Sequence, residues 1–272
     1  MSVSVKTFAR VADAAGALSS ERNARFLGGG TLVMRAVNEA DPTIETIVRS
    51  TDPSLLHIAV SSGRIELGAG VTMAAILAER ELGFLHAVAR AVGGPAVREA
   101  ATVGGNLFAP SPYGDFAAAL LALDATVMLA AGFGQRELPL EELLGRRDRG
   151  STLVSAVACK RPPNDAFRFH KVTRVHPKSI SVLSIAAHLP FASGRVTGAR
   201  IAYGAMGQTP VRAKTAERAL EGRTLDAAGI APALAVATDG TSPTDDAIAS
   251  AWWRREILPV YLRRLLLGAA QT

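Results

Sequence analysis

Two glycine clusters, Gly28-Gly29-Gly30 and Gly104-Gly105, constrain this chain more than any other feature. Consecutive glycines mark places where the backbone takes positive φ or where another group approaches closer than a Cβ permits. The first cluster lies in Leu27-Gly28-Gly29-Gly30-Thr31-Leu32-Val33-Met34. Its N–H groups can line a concave turn, and a helix expected from about Leu32 adds its positive end. Such a segment suits a diphosphate, although a plain tight turn accounts for the same residues. The dinucleotide fingerprint G-x-G-x-x-G is excluded, because its last glycine would fall on Val33. No Gly-Lys-Ser/Thr occurs, which excludes a P-loop.

The second cluster sits in Thr102-Val103-Gly104-Gly105-Asn106, with Asp115 following downstream. The glycines again permit close approach, and Thr102 and Asn106 can donate hydrogen bonds to a phosphate. Asp115 can accept from a hydroxyl on a sugar-like chain, or cap the helix expected over Phe116–Leu123. Both roles can coexist.

Composition limits the remaining chemistry. With 272 residues, 49% hydrophobic and 20% charged, the chain is globular and long enough for one large or two ordinary domains. One cysteine, Cys159, can form no internal disulfide and cannot hold an iron–sulfur cluster, which needs about four thiolates. The histidines His57, His86, His170, His176 and His188 show no metal-ligand spacing, so metal chemistry is expected on another chain. The net charge of +6 is spread over scattered arginines, and aromatic content is 5%. That favours a solvated surface, or one facing an acidic partner, over a nucleic-acid platform. No membrane span is expected, and MSVSVKTFAR lacks the apolar core of a secretion signal, so the protein is expected to be cytoplasmic.

Short strands and helices alternate along the first part. Strands are expected at Val3–Phe8, Thr46–Ser50, His57–Val60, Arg64–Leu67 and Ala125–Ala130, with helices at Val11–Leu18, Leu32–Asn38, Met73–Glu81, Phe84–Val92 and Phe116–Leu123. Gly93–Gly114 shows no helical period, yet it is too apolar for an idle surface loop. Pro162-Pro163 suggests a boundary, because paired prolines interrupt helix and sheet alike. Beyond it, strands are expected at Phe167–Val172, Ser181–Leu189 and Gly198–Gly204, then helices at Thr215–Glu221 and Ala227–Thr238. A terminal helix capped by Asp245-Asp246 would carry Ala249, Trp253, Ile257 and Val260 on one face, expected to pack in the core, with a kink at Pro259.

Taken together, these segments resemble the FAD-binding medium subunit of molybdenum hydroxylases, the relatives of carbon monoxide and xanthine dehydrogenases. Phe26–Thr31 resembles the family's A-G-G-T-x-L segment, and Thr102–Asn106 matches its T-[IV]-G-G-N. Asp115 with Leu120-Leu121-Ala122-Leu123-Asp124-Ala125 matches the continuation D-x-x-x-A-L-L-A-L-D-A. Lys171-Val172-Thr173-Arg174 before Ser179-Ile180-Ser181 resembles K-x-x-x-R…D-I-A, and Pro210-Val211-Arg212-Ala213 before Ala216-Glu217 resembles P-x-R-A…A-E. Two positions depart from the pattern: Ser179 stands for the usual aspartate, and Trp253 for tyrosine.

The resemblance implies an α+β fold. Residues 1–160 would form a two-subdomain FAD-binding domain of the PCMH type, and residues 161–272 a smaller α+β domain like the CO dehydrogenase flavoprotein C-terminus, with a three-stranded antiparallel sheet and a helical bundle. It implies that Leu27–Met34 cradle the FAD pyrophosphate and that Thr102, Val103, Gly104, Gly105 and Asn106 grip the cofactor from the other side. Asp115 would bond near the ribityl–phosphate region, and Lys171 would lie near the flavin. No catalytic acid or base is implied. The implied partners are a large molybdenum-cofactor subunit and a small [2Fe–2S] subunit, in a dimer of heterotrimers. A self-contained flavin oxidoreductase, or an assembly protein that has lost FAD, would be the alternatives.

Overall fold

The computed structural model describes residues 3–61, 63–131, 134–146, 151–175 and 180–268. His176 and Ser179 lie outside the described residues. The chain folds into two units: Met1–Ala109 with Ala125–Lys160, and Pro110–Asp124 with Arg161–Thr272.

The first unit begins with β1 (Ser4–Phe8), α1 (Val11–Ser20), β2 (Ala24–Phe26), α2 (Val33–Asn38) and β3 (Thr46–Ser50). The strands form a parallel sheet in the order β1-β3-β2. The small residues Ala14 and Ala15 let α1 lie close, and with Leu18 they pack against Ala24, Val48 and Leu153. A second, antiparallel sheet contains β4 (Ile58–Ser61), β5 (Arg64–Gly68), β6 (Thr126–Ala131), β7 (Gly134–Pro139) and β8 (Leu153–Lys160), ordered β4-β5-β8-β6-β7. The central β8 is buried from Leu153 to Cys159. Short helices α3 (Met73–Ala78), α4 (His86–Ala91), α5 (Pro95–Ala100) and α6 (Val103–Leu107) fill the connection after β5.

Those last two helices correct the expectation of a non-helical Gly93–Gly114. Each is a turn or two long, too short to print a period on the sequence. Their signals are Pro95, at the first helical position of α5, and Thr102, the N-cap of α6.

The second unit takes α7 (Asp115–Ala122) out of the middle of the chain, whereas α8 (Leu140–Gly145) stays with the first unit. Every residue of α7 is buried, as an all-round apolar helix requires. It packs on β10 (Ser181–His188) and β13 (Arg200–Gly204). With β9 (Phe167–Thr173) and β14 (Val211–Arg212), these strands form an antiparallel sheet ordered β14-β13-β10-β9. The three expected strands are its body, and a two-residue edge adds a fourth. A small ribbon, β11 (Phe191–Ala192) with β12 (Arg195–Val196), stands apart from that sheet. Helices α9 (Lys214–Leu220), α10 (Ala227–Ala235) and α11 (Ala251–Leu267) complete the unit.

The terminal helix departs from expectation in its N-cap and in its buried face. Its N-cap is Ser250, whose hydroxyl accepts from the Trp253 N–H, while Asp245 and Asp246 accept from N–H groups just before and at the helix start. It runs through Pro259 as one element. Trp253 and Val260 are exposed, and only Ile257 of that pair-flanked stripe is fully buried. The buried face instead carries Arg254, Leu258, Leu262, Leu265 and Leu266. It is rotated by about one residue from the expected stripe, and Arg254 lies within it. The guanidinium donates to the carbonyls of Val182 and Ala249 and to both carboxylate oxygens of Asp246. A charged residue in the core stripe hides it from a hydrophobicity pattern.

Candidate functional site

The two glycine segments meet in the first unit. Leu27 ends the parallel-sheet strand by donating its N–H to the Val48 carbonyl, and Gly28-Gly29-Gly30 follow directly. Only Gly30 takes a positive φ, +74°. Gly28 and Gly29 are required by proximity: a Cβ on Gly28 would lie 2.8 Å from Thr102 Oγ1, and one on Gly29 would lie 1.6 Å from the Ala100 carbonyl oxygen. The first segment therefore lies directly against the junction of α5 and α6.

The second segment is a capped helical turn rather than an open loop. Thr102 Oγ1 accepts from the Gly105 N–H at 3.0 Å. The N–H groups of Val103 and Gly104 donate to the Val71 and Ala69 carbonyls, which stitches α6 to the turn after β5. Gly104 is glycine because a Cβ there would sit 2.7 Å from the Ala69 Cβ. Gly105 is different. It is exposed, and a Cβ there would meet only Thr102 Oγ1, at 2.9 Å.

These partnerships divide the labour. The backbone N–H groups of α6 are committed within the protein. Those of Gly28, Gly29, Gly30, Thr31 and Leu32 draw no hydrogen bond among the described residues. They are the donors an anionic ligand can use, while exposed Gly105 supplies an uncrowded surface beside them. Val33 and Met34 open α2, which is only six residues long, so the expected dipole contribution reduces to these N–H groups. The chemistry of this donor set, a run of unpartnered N–H groups on a glycine segment, fits a pyrophosphate.

Asp115 and Lys171 come together in the second unit. Gly114, with φ +97°, is the N-cap of α7, so Asp115 is the first helical residue. Its Oδ2 lies 2.9 Å from Lys171 Nζ on β9, and its Oδ1 accepts from the Ser181 hydroxyl on β10 at 2.6 Å. Ser184, paired with Lys171 across the ladder, is fully buried, and its Oγ makes no hydrogen bond among the described residues. Gly204 on β13 completes the group, since a Cβ there would stand 2.3 Å from Ser184 Oγ. Sequence reasoning missed Ser181 as the partner of Asp115, and it missed Ala69 and Ala100 as the backbone that forces Gly104 and Gly29. The signal for the former was the Ser179-Ile180-Ser181 motif. For Ala69 it was Gly68-Ala69-Gly70, while Ala100 had none.

Cys159, the single thiol, is buried on β8, and burial pushes its pKa up to about 12. A buried thiol held neutral in this way is a poor nucleophile. Among the described residues, no group of three His, Cys, Asp or Glu side chains could hold a metal. No described helix is long and apolar enough to cross a membrane.

Residues 2–158 match the model of the FAD binding domain in molybdopterin dehydrogenase, and residues 168–269 match the CO dehydrogenase flavoprotein C-terminal domain. The chain belongs to this FAD-binding family. The molybdopterin dehydrogenase flavoproteins similar to it include the 6-hydroxypseudooxynicotine dehydrogenase complex subunit alpha of Paenarthrobacter nicotinovorans, 26% identical over 91% of this chain and 87% of that protein. The carbon monoxide dehydrogenase medium chain of Afipia carboxidovorans is 25% identical over 93% of this chain and 92% of that one. The structure of reconstituted CO dehydrogenase from Oligotropha carboxidovorans shares the fold, with a TM-score of 0.89 at 23% identity over 99% of both chains. The cofactor of this flavoprotein family is FAD, and its members are oxidoreductase subunits.

Proposed function

We propose that this chain is the electron-transfer subunit of a molybdenum hydroxylase. Electrons reach its FAD from [2Fe–2S] clusters on a small partner subunit and leave to an external acceptor. A large molybdenum-cofactor subunit hydroxylates the substrate, and the assembly is a dimer of heterotrimers in the cytoplasm. The observation that carries this reading is the unpartnered N–H run of Gly28 to Leu32 pressed against the α5–α6 junction. It is supported by relatives that are medium or FAD subunits of dehydrogenase complexes.

In this reading residues 1–160 bind the cofactor and residues 161–272 form the flavoprotein C-terminal domain. Leu27–Met34 hold the pyrophosphate. Thr102–Asn106 wall the site, with Thr102 fixing the turn by its cap and Gly105 leaving the ligand's path clear. Asp115 accepts from the ribityl hydroxyls, and Lys171 sets a positive charge near the flavin; Ser181 holds the carboxylate in place for both. FAD, when bound, supplies the capacity to exchange one or two electrons. The chain's own residues bind, orient and tune, and none of them works as an acid or base.

The test compares the isolated chain with the same chain co-expressed beside its neighbouring genes. Substrate-dependent bleaching of the flavin absorbance is expected only in the assembled complex. Rapid reduction of the isolated chain's flavin by that substrate would overturn the subunit reading in favour of a self-contained oxidoreductase.

A further inference from the structure

The helix α11 carries an apolar stripe on its solvent side. Trp253, Val260 and Leu267 are 47%, 49% and 38% exposed, and Trp252 beside the first is 65% exposed. Seven-residue spacing returns to the same face within about 20°. The three therefore line one ridge about 21 Å long, at 1.5 Å of rise per residue. The Trp252 and Trp253 rings lie 6.1 Å apart and widen one end of it. Isolated exposed apolar residues are ordinary, but four large ones on a single helix form a patch of the kind that marks an interaction site. The helix's opposite face is already occupied by the core of its own unit, through Leu258, Leu262 and Leu266.

Charge identifies the occupant. Arg263 and Arg264 are exposed beside this ridge, against a single exposed carboxylate of the helix, Glu256. Tryptophan and arginine are the residues most enriched at the energetic centres of protein interfaces. A second copy of this chain would set arginines against arginines. A lipid surface would have to bury Glu256, which stands between Trp253 and Val260 on the ridge. We propose that the α11 ridge docks a partner polypeptide whose apolar groove is edged by aspartate and glutamate carboxylates. The proposal rests on the subunit reading given above and locates the surface used.

The test uses the full chain and the purified partner chains encoded beside it. Trp253→Glu and Val260→Glu should each weaken assembly at least tenfold, with FAD content and melting temperature unchanged because both side chains are exposed. Arg263→Glu should weaken it at low salt and make it less sensitive to added salt than the wild type. Phe191→Ser, another exposed apolar residue, should leave affinity within twofold. Ridge variants that bind within twofold of wild type would overturn the docking face and leave the subunit reading standing. So would ridge-dependent self-association, or ridge-dependent flotation with phosphatidylserine vesicles. Failure of the wild type itself to bind those chains would overturn both.

Discussion

At Gly29 a methyl group would occupy the space of the Ala100 carbonyl, 1.6 Å away, whereas at Gly105 it would meet only the Thr102 hydroxyl at 2.9 Å. Backbone cannot yield as a side chain can. Gly29→Ala should therefore destabilise the apoprotein by about 1–3 kcal/mol or more, seen as a lowered melting temperature. Gly105→Asp places a carboxylate on the exposed side of the turn and should leave the fold intact. Its effect should fall on the cofactor, as a flavin-to-protein absorbance ratio well below wild type; full flavin content in a folded Gly105→Asp protein would remove this turn from the site. Cys159 gives a different readout. Its folded pKa is raised from 9.0 to about 12 by burial, so the folded state resists ionisation that the unfolded chain undergoes. The resulting stability is fully present below about 9 and is lost as pH rises towards 12. Denaturation between pH 8 and 11 should show an alkaline decline that Cys159→Ala lessens.

The Asp115–Lys171 pair joins α7 to β9, and the Ser181 bond ties the same carboxylate to β10. Both side chains are largely withdrawn from water. Lys171→Met leaves a buried carboxylate without its counter-charge and should cost about 3–5 kcal/mol, whereas replacing both, Asp115→Leu with Lys171→Met, should recover much of that loss. Chemical denaturation of the apoprotein reads the difference, and equal losses in the single and double variants would show that the uncompensated carboxylate is not the source of the loss. Most elements of this kind were legible in the sequence. Thr46–Ser50 was found residue for residue as β3, and Ser181–Leu189 as β10 with one residue to spare, because β-branched and apolar runs bounded by turn residues leave few alternatives. The helices α5 and α6 were not legible, being too short for periodicity. The orientation of α11 was misread because its buried face includes an arginine, satisfied by carbonyls and by Asp246. In the site, the glycines and the Asp115–Lys171 motif could be picked out. The Ala100 carbonyl that makes Gly29 necessary could not, since any residue type supplies a carbonyl.

Over the whole molecule, the residues proposed for the cofactor fall on both units: Leu27–Met34 and Thr102–Asn106 on the first, Asp115 and Lys171 on the second. Ligand binding stabilises whatever it touches by mass action. Hydrogen exchange with saturating FAD should thus slow around Gly28–Met34 and also along β9 and the start of α7. Protection confined to the first unit would withdraw Asp115 and Lys171 from the site. FMN, lacking the diphosphate, should protect the glycine segment far less. The passage of α7 from one unit to the other has a further consequence. Pro162-Pro163 looks like a hinge at which evolution or an engineer could exchange modules, yet a cut there strands eight consecutive buried residues, Asp115 to Ala122, away from the sheet that covers them. The two units alternate along the sequence, and a recombination that swaps one of them must carry that inner segment along with the C-terminal segment.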